Sequence, residues 1–156
     1  MTDHDNEIVR QFLTESNAIE GIFHNVTDQE VALANLFLAL PEVWVGDVCA
    51  LVAGIQPGAQ LREHTGWDVR VGSYYPPRGG PEIRAQLSGL LFELTTTDPW
   101  AWHLKYEGLH PFTDGNGRSG RLLWLYQKVR LLGGFPNLGF LHSFYYSTLE
   151  NVKDQA

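Results

Sequence analysis

Residues 110–121 read HPFTDGNGRSGR, a stretch that crowds a histidine, an aspartate, two arginines and three glycines between apolar segments. A structural turn needs a glycine or two, but it does not need cations beside them. His110 precedes Pro111, which disfavours helical angles at the residue before it, so the helix expected from Pro99 to Leu109 should end there. The imidazole then sits on a helix-to-loop corner, with a pKa close enough to neutral for a base. Gly115-Asn116-Gly117 lets successive N–H groups turn inward as an anion nest. The helix expected next, Arg118 to Leu132, adds its own free N–H groups and positive dipole end. Asp114 beside the nest is a hard oxygen ligand of the kind Mg²⁺ takes when phosphates supply its other ligands.

The arginines are the sharper clue. Cations in the first turn of a helix oppose its dipole, so they need a reason to be there. Arg118 and Arg121 are three apart and share a face. At about 100° per residue they fall on the stripe of Leu122, Leu125, Val129 and Leu132, the core-facing one. Guanidinium groups on such a stripe must meet an anion, either a ligand or a carboxylate. The plain alternative is a polar turn with solvated arginines.

Working outward, 156 residues suffice for one domain, 1–156, with a real core. Five tryptophans and eight phenylalanines point to a well-filled interior. A net charge of -7 without any Lys/Arg run argues against nucleic acid or an anionic membrane as partner. It does not exclude one small anion in a local cationic pocket. The single cysteine, Cys49, excludes an internal disulfide and fits a reducing compartment. With scattered histidines and one cysteine, no zinc site is expected. MTDHDNEIVR lacks the layout of a signal peptide and no apolar run is long enough to span a bilayer, so a cytoplasmic location is expected.

A first helix is expected from Asn6 to about Ile19, with Ile8, Val9, Phe12 and Leu13 on one side. "TDQE" offers a capping box, Thr27 with Glu30, before the apolar run VALANLFLAL. Pro41 closes that helix and PEVWVGDVCALVAGI reads as another. Alternation at Val69 and Val71, flanking glycines and a Pro-Pro stop predict a short hairpin over 66–77. Helical spacing resumes from Glu82 to Thr95, and a last helix is expected from Leu141 to about Val152. The expected fold is mainly α with one small β element.

A second carboxylate stands in "SNAIEG", Ser16 to Gly21. Ser16 and Glu20 continue the stripe of Val9 and Leu13, where an unpaired charge is costly. Glu20 could pair with one of the two core-facing arginines, or sit in water at a frayed helix end with Gly21 as the stop. The pattern alone leaves both open.

HPFTDGNGRSGR resembles the signature of the Fic family, His-x-Phe-x-Asp/Glu-Gly-Asn-Gly-Arg-x-x-Arg, at every fixed position. PGAQLR…VRVG…YPP resembles the family's flap hairpin, and His103 and YYSTL fit as well. The resemblance implies a Fic fold, a helical bundle with a β-hairpin flap beside the active-site loop. It also implies an adenylyltransferase that moves AMP from ATP to a Ser, Thr or Tyr hydroxyl of a target protein or of itself. His110 would take the hydroxyl proton and Asp114 would hold Mg²⁺. Gly115, Asn116 and Gly117 would cradle the phosphates, with Arg118 on the leaving pyrophosphate and Arg121 on the γ-phosphate. Phe112 would be a core anchor. Doc-type kinases of the family carry lysine where this chain has Gly117, so glycine favours nucleotidyl over phosphoryl transfer.

Ser16-x-x-x-Glu20-Gly21 is similar to the family's inhibitory motif. That match implies an N-terminal inhibitory helix over 6–21 whose Glu20 pairs with Arg121 and keeps the γ-phosphate from seating. The flap residues Val69, Arg70, Val71 and Gly72 would recruit a target by strand addition, with Arg70 and Trp67 either tuning choice or serving as ordinary surface and packing residues. Tyr146 matches a tyrosine lining the adenine pocket, or is a core aromatic. Relatives place an asparagine one turn later, where this chain has Lys153, with Asn151 offset. His103 reads as a packed helix residue. Removal of AMP by the same site, another nucleotide donor and a nucleotide-sensing module are the rival readings, and homo-oligomerisation stays open. The intact His110 argues against the sensor.

Overall fold

The computed structural model describes residues 2–136, so the helix expected over 141–152 and Tyr146 lie outside the described residues. Six helices follow in order: α1 (Asp3–Ile19), α2 (Asp28–Leu38), α3 (Val45–Ile55), α4 (Pro81–Phe92), α5 (Pro99–Leu109) and α6 (Asn116–Leu132). Local sequence sets most of their starts. At α2, Thr27 Oγ1 accepts from the Glu30 N–H at 3.1 Å and the Glu30 carboxylate accepts from the Thr27 N–H at 2.6 Å. Asp98 caps α5 through the Ala101 N–H at 3.0 Å, ahead of Pro99 in the first turn. A cap of this kind is worth about 1 kcal/mol.

Several boundaries differ from the spacing-based expectation, beginning with α1, which starts at Asp3 and not Asn6 because Thr2 and Asp5 form a capping box. The chain after Pro41 does not turn helical until Val45, where Asp47 accepts the Trp44 N–H at 2.8 Å and restarts the helix. Helix α4 stops at Phe92, because Thr96 and Thr97 fold back on the Glu93 carbonyl at 3.2 and 3.1 Å. Helix α6 starts two residues early, at Asn116.

Helix α6 is the hub, with α5 packed along it and α1, α2 and α3 also against it. Its residues from Ser119 to Gln127 are buried without a break, so it has no solvent face over that span. The single core stripe expected for it is therefore too narrow. It also ends early, since Leu132 is 57 % exposed. On α5, Trp102 and Tyr106 are fully buried, and the Tyr106 hydroxyl bonds Ser119 Oγ at 2.7 Å. His103 Nδ1 donates to the Gly120 carbonyl at 3.0 Å. Burial pushes the His103 pKa down to about 3, so its ring is neutral and serves packing.

Val9 and Phe12 of α1 join the same apolar cluster as Leu51, Ile83, Leu87 and Leu122. Arg10 further ties α1 to the Val26 carbonyl and to Asp28, and Asn6 accepts from Asn35 at 2.7 Å. The first helix is thus part of the core. No helix among the described residues is long and apolar enough to cross a membrane.

The described residues contain two isolated β-bridges and no longer strand. One joins Leu61 to Phe112, the other Val71 to Tyr74. The hairpin expected over 66–77 is reduced to this second bridge, in which Val71 and Tyr74 exchange N–H···O bonds at 2.9 Å around Gly72-Ser73. The next bonded pair of an antiparallel ladder would be Val69 with Pro76, and proline has no N–H to give.

Candidate active-site cavity

A cavity of about 330 Å³ opens where the end of α1, the end of α3 and the 110–118 loop meet. His110, Asp114, Gly115, Asn116, Gly117 and Arg118 line one side, with Glu20, Ile22, Gln56 and Thr113 completing it. A smaller cavity of about 30 Å³ lies under α1 among Leu13, Leu33, Leu51 and Leu122. It lacks a histidine and the open start of a helix, so the chemistry belongs to the larger one.

The 110–121 loop is pinned from behind. Arg62 N–H donates to the Pro111 carbonyl and Thr113 N–H to the Gln60 carbonyl, both at 2.9 Å. Thr113 Oγ1 accepts from the Gln60 N–H at 3.0 Å. Phe112, 1 % exposed, is the anchor between these bonds. The Asn116 side chain accepts from the Phe112 N–H and donates to the Phe112 carbonyl, both at 2.9 Å. Its oxygen and one amide hydrogen are thereby spent inside the loop.

His110 caps α5 in a left-handed conformation, φ 49° and ψ 62°, the one non-glycine with positive φ among the described residues. Burial lowers its pKa from 6.5, and the Arg62 cation lowers it further. A hydrogen bond to the Glu107 carbonyl and the charges of Asp114 and Glu20 act the other way. The net direction leaves a neutral imidazole, able to accept a proton, at physiological pH.

Helix α6 opens from Gly115 (φ 76°) with no side-chain cap. The N–H groups of Asn116, Gly117 and Arg118 are those a helix start leaves without intrahelical partners, at its positive end. Asp114 spends Oδ1 on the Gly115 N–H at 2.8 Å. A lone carboxylate with its second oxygen still available fits Mg²⁺ whose remaining ligands are phosphate and water. Arg118 reaches Gln56 Oε1 at 2.7 Å and the Ile55 carbonyl at 3.3 Å, so α3 holds it at the cavity wall.

Arg121 is 1 % exposed and faces α1. Its Nε donates to Ser16 Oγ at 2.7 Å, and Nη2 donates to the Ser16 carbonyl at 3.0 Å and to Glu20 Oε1 at 2.7 Å. The end of α1 makes this reach possible. Gly21, at φ 73°, lets its N–H return to the Ala18 carbonyl and the Ile22 N–H to the Asn17 carbonyl, both at 3.0 Å. This is a Schellman stop, and it leaves Glu20 at the cap position over α6. The structure takes the paired reading of Glu20 and keeps from the other only the stop at Gly21, where the helix end is ordered and not frayed. Gly117 supplies the room, because a Cβ there would lie 2.3 Å from Glu20 Oε1.

The flap residues are placed apart from this cluster. Val69 and Val71 are half-buried, while Arg70 and Gly72 are exposed. None of the four lines the cavity. Sequence reasoning missed Gln56, Thr113, Ile22 and the fully buried Arg62, whose partners lie far along the chain.

A Fic/DOC family model matches residues 50–127, half of the chain. The chain belongs to the Fic/DOC family. A crystal structure of a Fic family protein from Desulfovibrio desulfuricans G20 is similar in fold, with a TM-score of 0.53 at 20% sequence identity. The match covers 82% of this chain and 46% of that one, so the present chain spans about half the length of that Fic protein. The mainly helical architecture is accordingly the Fic fold. The matched span includes the whole 110–121 loop and Arg62, while α1 with Glu20 lies before it.

Proposed function

We propose that this chain is a protein adenylyltransferase that moves AMP from ATP to a hydroxyl of a target protein or of itself. Membership of the Fic/DOC family supports nucleotidyl transfer in general. The observation that carries the specific reading is that a neutral His110 and the uncapped start of α6 face one cavity. His110 accepts the proton of the incoming Ser, Thr or Tyr hydroxyl. The hydroxyl oxygen bonds the α-phosphorus as the bond to the β-phosphate oxygen breaks, and pyrophosphate leaves. The N–H groups of Asn116 to Arg118 receive the phosphates, and Arg118 meets the leaving group. Asp114 would hold Mg²⁺, which supplies charge neutralisation on the phosphates when bound.

Glu20 restrains the reaction by occupying Arg121, the cation the γ-phosphate needs. The segment from Val69 to Gly72 offers a target the edge for strand addition. A second reading, removal of AMP from a modified target, draws on the same geometry. Glu20 lines the cavity with His110 and could orient a water molecule.

The test uses Mg²⁺ and ATP labelled on the α-phosphate. Glu20→Gly should raise label on protein by about tenfold or more, in the range of ordinary coupling energies. Adding His110→Ala should remove it by a factor of roughly 10²–10⁴. Equal labelling by wild type and Glu20→Gly would refute the restraint, and label arriving only from the γ-phosphate would refute AMP transfer.

A further inference from the structure

Arg62 is the unexpected cation of this molecule. It is 0 % exposed, and the acceptors bonded to its guanidinium are backbone carbonyls rather than a carboxylate. Nε donates to the His110 carbonyl at 2.7 Å and Nη2 to the Leu109 carbonyl at 3.0 Å. Nη1 donates to the Trp67 and Pro77 carbonyls, each at 3.0 Å. Its own backbone is used as well: the N–H donates to the Pro111 carbonyl at 2.9 Å and the carbonyl accepts from the Gly80 N–H at 3.0 Å. Asp68, the nearest acid acting on it, spends Oδ1 on the Gly79 N–H at 2.8 Å.

Two of the four carbonyls belong to the last turn of α5, where the helix presents its negative end. The other two are the feet of the flap turn. A buried cation is costly unless its donors are satisfied, so the four carbonyls and the guanidinium need one another. The His110 carbonyl is the decisive one. His110 has an L-residue backbone in the left-handed region, which persists only where the surroundings hold it. The peptide after it is held by Nε on the His110 carbonyl, and the next peptide by the Arg62 N–H on the Pro111 carbonyl. That fixes the direction of the His110 Cα–Cβ bond into the cavity.

We propose that Arg62 is a positioning residue for His110, holding the base in its left-handed backbone and fastening it to both feet of the flap. One side chain thereby sets the distance between the attacking hydroxyl's base and the edge that presents the target. The catalytic part of this rests on His110 acting as the base; the mechanical coupling does not. Lysine cannot substitute, because a compact ammonium with three donors cannot span four separated carbonyls as a planar fork does.

The test has a structural arm and a kinetic arm. In the wild type, NMR should show slowly exchanging Arg62 guanidinium protons with hydrogen-bond couplings to the His110 and Leu109 carbonyls. Fast exchange without those couplings would overturn the proposal even if every variant failed to fold. In Arg62→Lys, the His110 Cα shift and HN–Hα coupling should leave their left-handed values, and amide exchange at Val71 and Tyr74 should quicken. In the Glu20→Gly background, Arg62→Lys should lower kcat for AMP transfer roughly a hundredfold with KM for ATP unchanged, as for a misplaced reacting group. A folded Arg62→Lys that keeps the His110 shift and full kcat sinks the idea. If His110→Ala retained transfer, the base assignment would fall, while the His110 shift in Arg62→Lys would still report the coupling by itself.

Discussion

From His110 to Asn116 the loop is bonded to residues 60–62, to its own Asn116 side chain and to the buried Arg62, whereas from Trp67 to Pro77 the chain is held at its feet and at one turn. At that turn, Val71 and Tyr74 form the sole ladder pair of the flap, and the Tyr74 hydroxyl reaches the Gly108 carbonyl at 2.7 Å. Tyr75 beyond it is 70 % exposed. The difference suits the two tasks proposed for these regions. A base must hold its reacting geometry to within a fraction of an ångström, while an edge that accepts a foreign segment must keep main-chain groups unspent.

The contrast breaks most visibly at Asn116. Asn116→Ala leaves the buried Phe112 N–H and carbonyl without their partner, and stability should fall by about 2 kcal/mol in urea denaturation. An unchanged midpoint would mean that the loop is not held from within. A smaller effect is expected from pH. Transfer by the Glu20→Gly variant should decline on acidification with a midpoint below 6.5, because burial and Arg62 depress the His110 pKa and only the neutral ring accepts a proton. Glu20 favours the protonated ring, so removing it moves that midpoint further down relative to wild type. A midpoint at or above 6.5 would contradict a buried His110 beside the Arg62 cation acting as the base. Least of all should stability respond to the flap: Arg70→Ala should stay within about 0.5 kcal/mol of wild type, and any change should fall on target labelling alone. A large loss of stability would show the flap to be as tightly built as the loop.

What could be read from sequence was local. The Thr27 and Glu30 box and the Pro99 start act over a few residues, and the structure follows them. The charges of the glycine-flanked loop called for a partner, whereas for Glu20 the pattern left pairing and solvent both open, and only the likeness of SNAIEG to the family's inhibitory motif pointed to Arg121. Arg62 and Gln56 carried no such mark. Each is one polar residue in QPGAQLR, and their partners lie 48 and 62 positions away. The flap was overread because alternation at Val69 and Val71 says nothing about the donor that Pro76 lacks. The wide burial of α6 was equally hidden, since periodicity registers one buried face and not a helix surrounded by neighbours.

The Schellman stop at Gly21 has a thermodynamic consequence. With Val9, Phe12 and Arg10 binding the body of α1 into the core, the part free to move is the cap residue and its side chain. If Arg121 receives the γ-phosphate as proposed, Glu20 and that phosphate form a linked pair at Arg121, and linkage is reciprocal. Whatever factor Glu20 takes from nucleotide affinity, bound nucleotide must take from the docking of Glu20. Saturating ATP should therefore loosen the last turn of α1 while its first three turns keep their protection, so that the restraint reports on the nucleotide it opposes.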